Sequence, residues 1–202
     1  MTTTGNVVEV STKMEGRPRD ASISRALVRA AERRMEADGF GKLTVDGIVN
    51  EVGTTRQTFY RRYRSVSLLA LEVLLSRFGG QERIDTGKLE SDLLELQRND
   101  VAMMNAPLIQ KNLPGLLAEI RTDVDVRQLY YEKMIHPRRV NVSLVISRAR
   151  DRGEPARSDI DSEYICDLLF GPLLARILLP TELPLDDRLA RQTVATVLRE
   201  IR

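Results

Sequence analysis

Apolar positions along this chain recur mostly at three and four residues, the period of a helix buried on one side. Ile23, Ala26, Leu27, Ala30 and Ala31 share such a face behind Asp20 or Ser22 as a cap, and the pattern stops at Gly39. Val45, Ile48, Val49 and Val52 follow at i, i+3, i+4 and i+7. Thr44 stands just before them as an N-cap, and Gly53 just after, where a left-handed residue ends a helix. A short third helix spans about Thr55 to Tyr63, with Phe59 and Tyr63 one turn apart. A fourth starts near Ser65 to Ser67, carries Leu71, Leu74, Leu75 and Phe78, and ends at Gly79-Gly80. No proline interrupts Asp20 to Ala106.

The rest of the chain keeps the same period. Leu89, Leu93 and Leu96 lead to Met103 and Met104 before Pro107 interrupts, and Pro114 is expected to start a short segment from Leu116 to Arg121. Asp125 is the expected cap of a longer helix through Met134, which must kink or restart at Pro137. Val140, Val142, Leu144 and Ile146 alternate like a strand, while Val142, Val145, Ile146 and Ala149 fit a helix. The continuation through Arg150 to Gly153 and Pro155 selects helix. Two more helices cover about Asp161 to Leu179 and Asp186 to Ile201. The predicted architecture is all-α, with about nine helices and no solenoid repeat.

Composition narrows the class of protein. Of 202 residues, 42% are apolar and 30% charged, the balance of a soluble globular chain. No apolar run approaches the ~18 residues of a membrane span, and the N-terminus lacks the features of a signal peptide. A lone Cys166 makes no internal disulfide, and a lone His136 leaves no Cys/His set for a metal. A reducing cytoplasm is the expected location. Net charge is only +2, yet Lys13 to Val66 holds twelve Lys/Arg against seven Asp/Glu, while Ser67 to Arg202 holds nineteen against twenty-one. The basic first third is the part suited to a polyanion.

The segment Leu43 to Ser65, LTVDGIVNEVGTTRQTFYRRYRS, concentrates the chemistry. A capped helix, a break at Gly53-Thr54 and a second short helix make a helix-turn-helix pattern. Ile48, Val49, Val52 and Phe59 pack the two helices against the first, leaving Thr55, Arg56, Gln57, Thr58, Arg61 and Arg62 exposed. Arg pairs bidentately with guanine and Gln with adenine, while hydroxyls and Tyr60 reach phosphates. Arg17 and Arg19 are candidates for an adjacent minor groove.

In these positions the chain resembles the TetR family of transcriptional regulators. Thr44, Ile48, Gly53, Thr58, Tyr60, Tyr63 and Ser65 match its signature, preceded by Ala30-Ala31 and the helix end at Gly39-Phe40. More weakly, Arg152-Gly153-Glu154, Asp159-Ile160-Asp161 and Leu168 to Leu173 resemble the dimerisation end of one subfamily. The resemblance implies base contacts from Thr55, Arg56, Gln57 and Arg61, and phosphate contacts from Thr44, Thr58, Tyr60, Arg62 and Ser65. Three departures stand out: Gly47 inside the second helix, Val66 where the family often has lysine, and Val49 and Val52 in place of small alanines.

The implied organisation is a flexible basic arm (1–20), a helix-turn-helix domain (21–66) and a ligand-binding and dimerisation domain (67–202). Met103, Met104, Leu108, Leu116, Leu117, Tyr130, Tyr131, Met134 and Phe170 are candidates for an apolar ligand pocket, or else ordinary core. The last two helices carry more apolar surface than one chain is expected to cover, which suggests a homodimer. There is no G-x-S-x-G, phosphate loop or dinucleotide fingerprint, and neither enzyme activity nor cofactor is expected. The expected function is a dimeric repressor on a near-palindromic double-stranded operator, released by a small apolar ligand. The alternatives are a helical ligand-binding protein with a vestigial reading head and a nonspecific DNA binder.

Overall fold

A computed structural model describes residues 18–80 (backbone alone for 18–20), 83–179 and 181–202, and among these every regular element is helical. The order is α1 (Pro18–Ala37), a 3-10 turn (Phe40–Lys42), α2 (Val45–Val52), α3 (Arg56–Tyr60), α4 (Val66–Phe78), α5 (Leu89–Asn105), α6 (Pro107–Thr122), α7 (Val124–Tyr130), a π-turn (Tyr131–Ile135), α8 (His136–Asp151), α9 (Ser162–Leu178) and α10 (Asp187–Ile201). The π-turn runs unbroken from α7 into α8, so the ten segments make nine rods among the described residues.

Local chemistry sets most boundaries. The side chains of Thr44, Thr55, Ser65, Asp123, Asp161 and Asp186 each accept a backbone N–H at the start of a helix. Gly53 ends α2 at φ 71°, a conformation in which a Cβ is strained. Gly47 has a tertiary reason: a Cβ there would lie 2.6 Å from Nη1 of Arg34, which crosses α2 to reach Glu51.

The prolines behave differently from the expectation. Pro114 does not start a helix but sits inside α6, with Gln110, whose carbonyl loses its donor, exposed one turn earlier. Asp123, not Asp125, caps α7. At Pro137 the chain stays helical: the turn before it widens to the π form, with the His136 N–H donating to the Tyr131 carbonyl, and α8 resumes from there. Helix α1 begins at Pro18, ahead of Asp20 and Ser22. Arg17 lies outside the described residues, and Arg19 stands in the first turn of α1 with its side chain outside them.

Two apolar clusters hold the rods together. The first joins Leu27, Ile48 and Phe59 of α1 to α3 with Leu69 to Leu74 of α4, and continues into Met104, Ile109, Leu116 and Tyr130. The second packs α5, α8, α9 and α10 through Leu93, Val145, Leu169 and Val197. Leu189, Ala190, Val194, Val197, Leu198 and Ile201, the apolar face of α10, are all buried within the chain. The apolar surplus expected of the last two helices therefore lies on α9, which exposes Tyr164 and Leu178.

Helix α6 also completes α1. The Lys111 ammonium donates to the Glu36 and Ala37 carbonyls at 2.8 and 2.6 Å, and Asn112 Nδ2 to the Met35 carbonyl at 3.2 Å. The Glu36 and Ala37 carbonyls belong to the last turn of α1 and lack helical partners, whereas the Met35 carbonyl also accepts the Gly39 N–H at 3.2 Å.

The open space around Gly53 isolates its backbone strain, since a Cβ there meets nothing within 4 Å. Gly53→Ala is expected to lower stability by about 1 kcal/mol in urea denaturation, with an unchanged m-value.

Candidate nucleic-acid interface

Helices α2 and α3 are short, and their placement depends on contacts with α1. Glu51 on α2 accepts from Arg33 Nη2 and from Arg34 Nε, both at 2.7 Å. The hydrogen bond from Arg33, followed by that from Arg34, holds the Glu51 carboxyl below its usual range. Phe59 is fully buried beneath α3 and meets Tyr60 edge-on at 5.4 Å between ring centroids. Burial also pushes the Tyr63 hydroxyl upward.

With Phe59 and Tyr63 facing inward, the remaining residues of α3 face outward. Arg56, Gln57, Tyr60 and Arg61 are exposed, and Thr58 is half-buried. The Thr55 hydroxyl accepts the Thr58 N–H at 3.2 Å and donates to the Thr58 hydroxyl at 3.0 Å. Thr44 Oγ1 accepts from the Gly47 N–H at 3.1 Å, and Ser65 Oγ from the Leu68 N–H at 3.2 Å. Three of the expected contact residues thus also cap helices. Arg62 turns back: its Nε donates to Ser24 Oγ at 3.2 Å and its Nη1 to the Thr58 carbonyl at 2.9 Å.

Arg56 has a partner that sequence reading missed. Its Nε and Nη2 donate to the two carboxylate oxygens of Asp46, in the first turn of α2. The pair brings the N-terminal ends of α2 and α3 together, and its hydrogen bond holds the Asp46 carboxyl below its usual range. Ten residues separate the partners, and no helical or strand spacing links them.

The body holds a second candidate site. Met103, Met104, Tyr130, Met134 and Phe170 do come together, but around a cavity of about 20 Å³, room for roughly one water. Burial raises the Tyr130 hydroxyl to about 12. Leu108 lines a separate outer cleft with Pro107 and Lys111. Leu116 is fully buried in the core, Leu117 packs at its edge, and Tyr131 is half exposed beside His136.

A larger cavity of about 450 Å³ lies next to the small one and shares Phe78, Met103 and Arg138 with it. Its polar element is a buried ion pair: Arg138 Nη2 lies 2.6 Å from Asp100 Oδ2, with the guanidinium 4.6 Å over the Phe170 ring. Arg138 Nη1 also donates to Sγ of the buried Cys166 at 2.6 Å. Asp100 follows Leu93 and Gln97 on the buried face of α5, and a charge in that register was the available signal. At the cavity's rim, Arg77 pairs with Glu32 of α1 at 3.1 Å.

Comparison with known proteins follows the same division. Residues 27–73 match the model of bacterial regulatory proteins of the tetR family, and residues 83–197 that of the tetracyclin repressor-like C-terminal domain. The HTH-type transcriptional regulator YdeS of Bacillus subtilis (strain 168) is 25% identical over 165 residues, 81% of this chain and 82% of its own. The DNA-binding transcriptional repressor TetR of Mycobacteroides abscessus is 27% identical over 179 residues, 87% of this chain and 91% of its own. Among solved structures, the TetR family transcription regulator SCO0332 superposes with a TM-score of 0.67 at 25% identity, covering 90% of this chain and 99% of that one.

Among the described residues no helix is long and apolar enough to cross a membrane, and no three His, Cys, Asp or Glu side chains gather as a metal site. Because the Thr55 hydroxyl caps α3, Thr55→Ala is expected to cost about 1 kcal/mol of stability in urea denaturation of the DNA-free protein.

Proposed function

The chain belongs to the TetR family of DNA-binding transcriptional regulators, and we propose that it is a homodimeric repressor of a near-palindromic operator, released by a small, largely apolar ligand. The observation that carries the reading is the outward face of α3. Arg56, Gln57, Tyr60 and Arg61 stand exposed on a helix whose other side is anchored by fully buried Phe59. In this reading Thr55, Arg56, Gln57 and Arg61 meet base edges in the major groove, and Thr44, Thr58, Tyr60, Arg62 and Ser65 meet phosphates. Arg62 reaches its phosphate from a position fixed by Ser24. The arm residues Arg17 and Arg19 approach the neighbouring minor groove. The three units are the arm (1–20), the reading head (21–66) and the body (67–202).

Dimerisation is assigned to the last two helices, with α9 dominant. Tyr164, Leu168, Gly171, Ala175 and Leu178 recur at alternating steps of four and three along α9, the spacing of a helix seam. None of them is among the buried residues of the chain. Ala195 and Thr196 of α10 are also exposed. Paired across a twofold axis, two reading helices separated by roughly 34 Å meet successive turns of the major groove.

For release, the 450 Å³ cavity beside Arg138 is the assigned ligand site, rather than the filled space among the methionines. Arg77 and Phe78, at its rim, belong to the end of α4, and Arg77 also grips Glu32 on α1. A ligand that moves this end of α4 changes the spacing of the two heads. To act as an inducer it must prefer the spread state by the coupling energy, typically about 1–3 kcal/mol.

Selection from random duplexes is expected to recover a near-palindrome. Arg56→Ala then relaxes the preference at one base pair per half-site, at a cost of about 1–3 kcal/mol. Recovery of no enriched sequence, with equal affinity for scrambled DNA, would refute operator recognition. Gly171 has open space where a Cβ would stand. Gly171→Glu is therefore expected to give folded monomers in sedimentation, and persistence of the dimer rules out the α9 seam.

A further inference from the structure

The Arg56–Asp46 pair leaves one particular edge of the guanidinium available. Nε and Nη2 face the two carboxylate oxygens, so the side edge of the fork is occupied. By covalent geometry, Nη1 and the second hydrogen of Nη2 then point away from Asp46 in the same plane. That end edge carries the paired donors that match O6 and N7 of guanine. We propose that Asp46 is a specificity-determining residue, which presents Arg56 end-on to a guanine and withholds it from phosphates. The inference rests on the reading that Arg56 faces base edges.

Three physical consequences support this role. Arginine is among the side chains that lose most rotamer freedom when fixed, and the pair favours the end-on rotamer before DNA arrives. In water the pair is weak, because the two side chains are 65% and 56% exposed. Exclusion of water at a DNA interface strengthens it just where orientation matters. Finally, Asp46 cancels the charge of Arg56 and itself repels phosphate. Arg56 then contributes little to sequence-independent attraction, and a register that offers no guanine leaves a carboxylate facing the backbone.

The bland alternative is that Asp46 serves only α2, as a favourable negative charge in its first turn. A stabilising role of that kind changes the melting temperature and does not change which base is preferred.

The test uses the full chain and its Asp46→Asn, Asp46→Glu and Arg56→Ala variants. Each is passed through selection on random duplexes, then titrated against the selected duplex, its single-base variants and a scrambled duplex over a range of salt. Asp46→Asn is expected to lower discrimination about tenfold at the base pair that Arg56→Ala also loses. Its affinity for the scrambled duplex does not fall, and its salt slope steepens by up to about one ion. Asp46→Glu, which keeps the charge, retains most of the discrimination. If Arg56→Ala changes the preferred base while Asp46→Asn leaves it intact, or shifts all duplexes by one common factor, the role of Asp46 is overturned and base reading by Arg56 stands. If Arg56→Ala leaves every preference intact, base reading itself fails and takes this inference with it.

Discussion

The Glu36 and Ala37 carbonyls at the end of α1 have no helical partners, and the body of the protein supplies them. Lys111 and Asn112 of α6 reach the carbonyls of Met35, Glu36 and Ala37. Phe40 then packs against Gly115, where a Cβ would come within 3.1 Å of its ring. Helix α4 fills the space between, burying Leu69, Ala70, Leu71, Val73 and Leu74 on more than one side. The reading head is thus not a bead on a string. Its core and the first core of the body are one continuous cluster, and a movement of α6 or α4 is felt by α1 directly.

In the proposed interface, the polar groups that set local structure are the same ones assigned to recognition. Thr44, Thr55 and Ser65 hold the starts of α2, α3 and α4, so their hydroxyls are fixed in place before any phosphate approaches. Arg62 is braced by Ser24 and by the Thr58 carbonyl. Such prior fixation lowers the ordering cost of binding, and it is available to a five-residue helix only because Phe59 anchors it from below.

Features governed by neighbours in sequence were legible before any coordinates. The cap at Thr44, the helix starts near Ser65, Asp161 and Asp186, the left-handed Gly53, the helical choice for 140–150 and the all-α fold all follow from local chemistry and period. Features governed by distant partners were not. Gly47 reads as a defect until Arg34 is placed over it. Pro137 reads as a break because the wide π-turn that receives it leaves no pattern in the apolar residues. The methionines and tyrosines of the body read as a pocket, yet the space among them is small, closed in by side chains from α4 to α9. A larger cavity beside it is marked by Asp100 and Arg138, thirty-eight residues apart in sequence. For the reading face, exposure and capping were foreseeable, whereas the grip of Asp46 on Arg56 required the angle between two helices.

The way α4 is buried also bears on how such chains diversify. A crossover between residues 66 and 67, the natural seam by motif, would set a foreign α1 against the ammonium of Lys111, the amide of Asn112 and the apolar flank of α4. Recombinant heads are accepted only if they bring a compatible C-terminal turn and a matching aromatic for the notch at Gly115. If α3 reads bases as proposed, point replacements on its outer side disturb this packing less than wholesale exchange of the module.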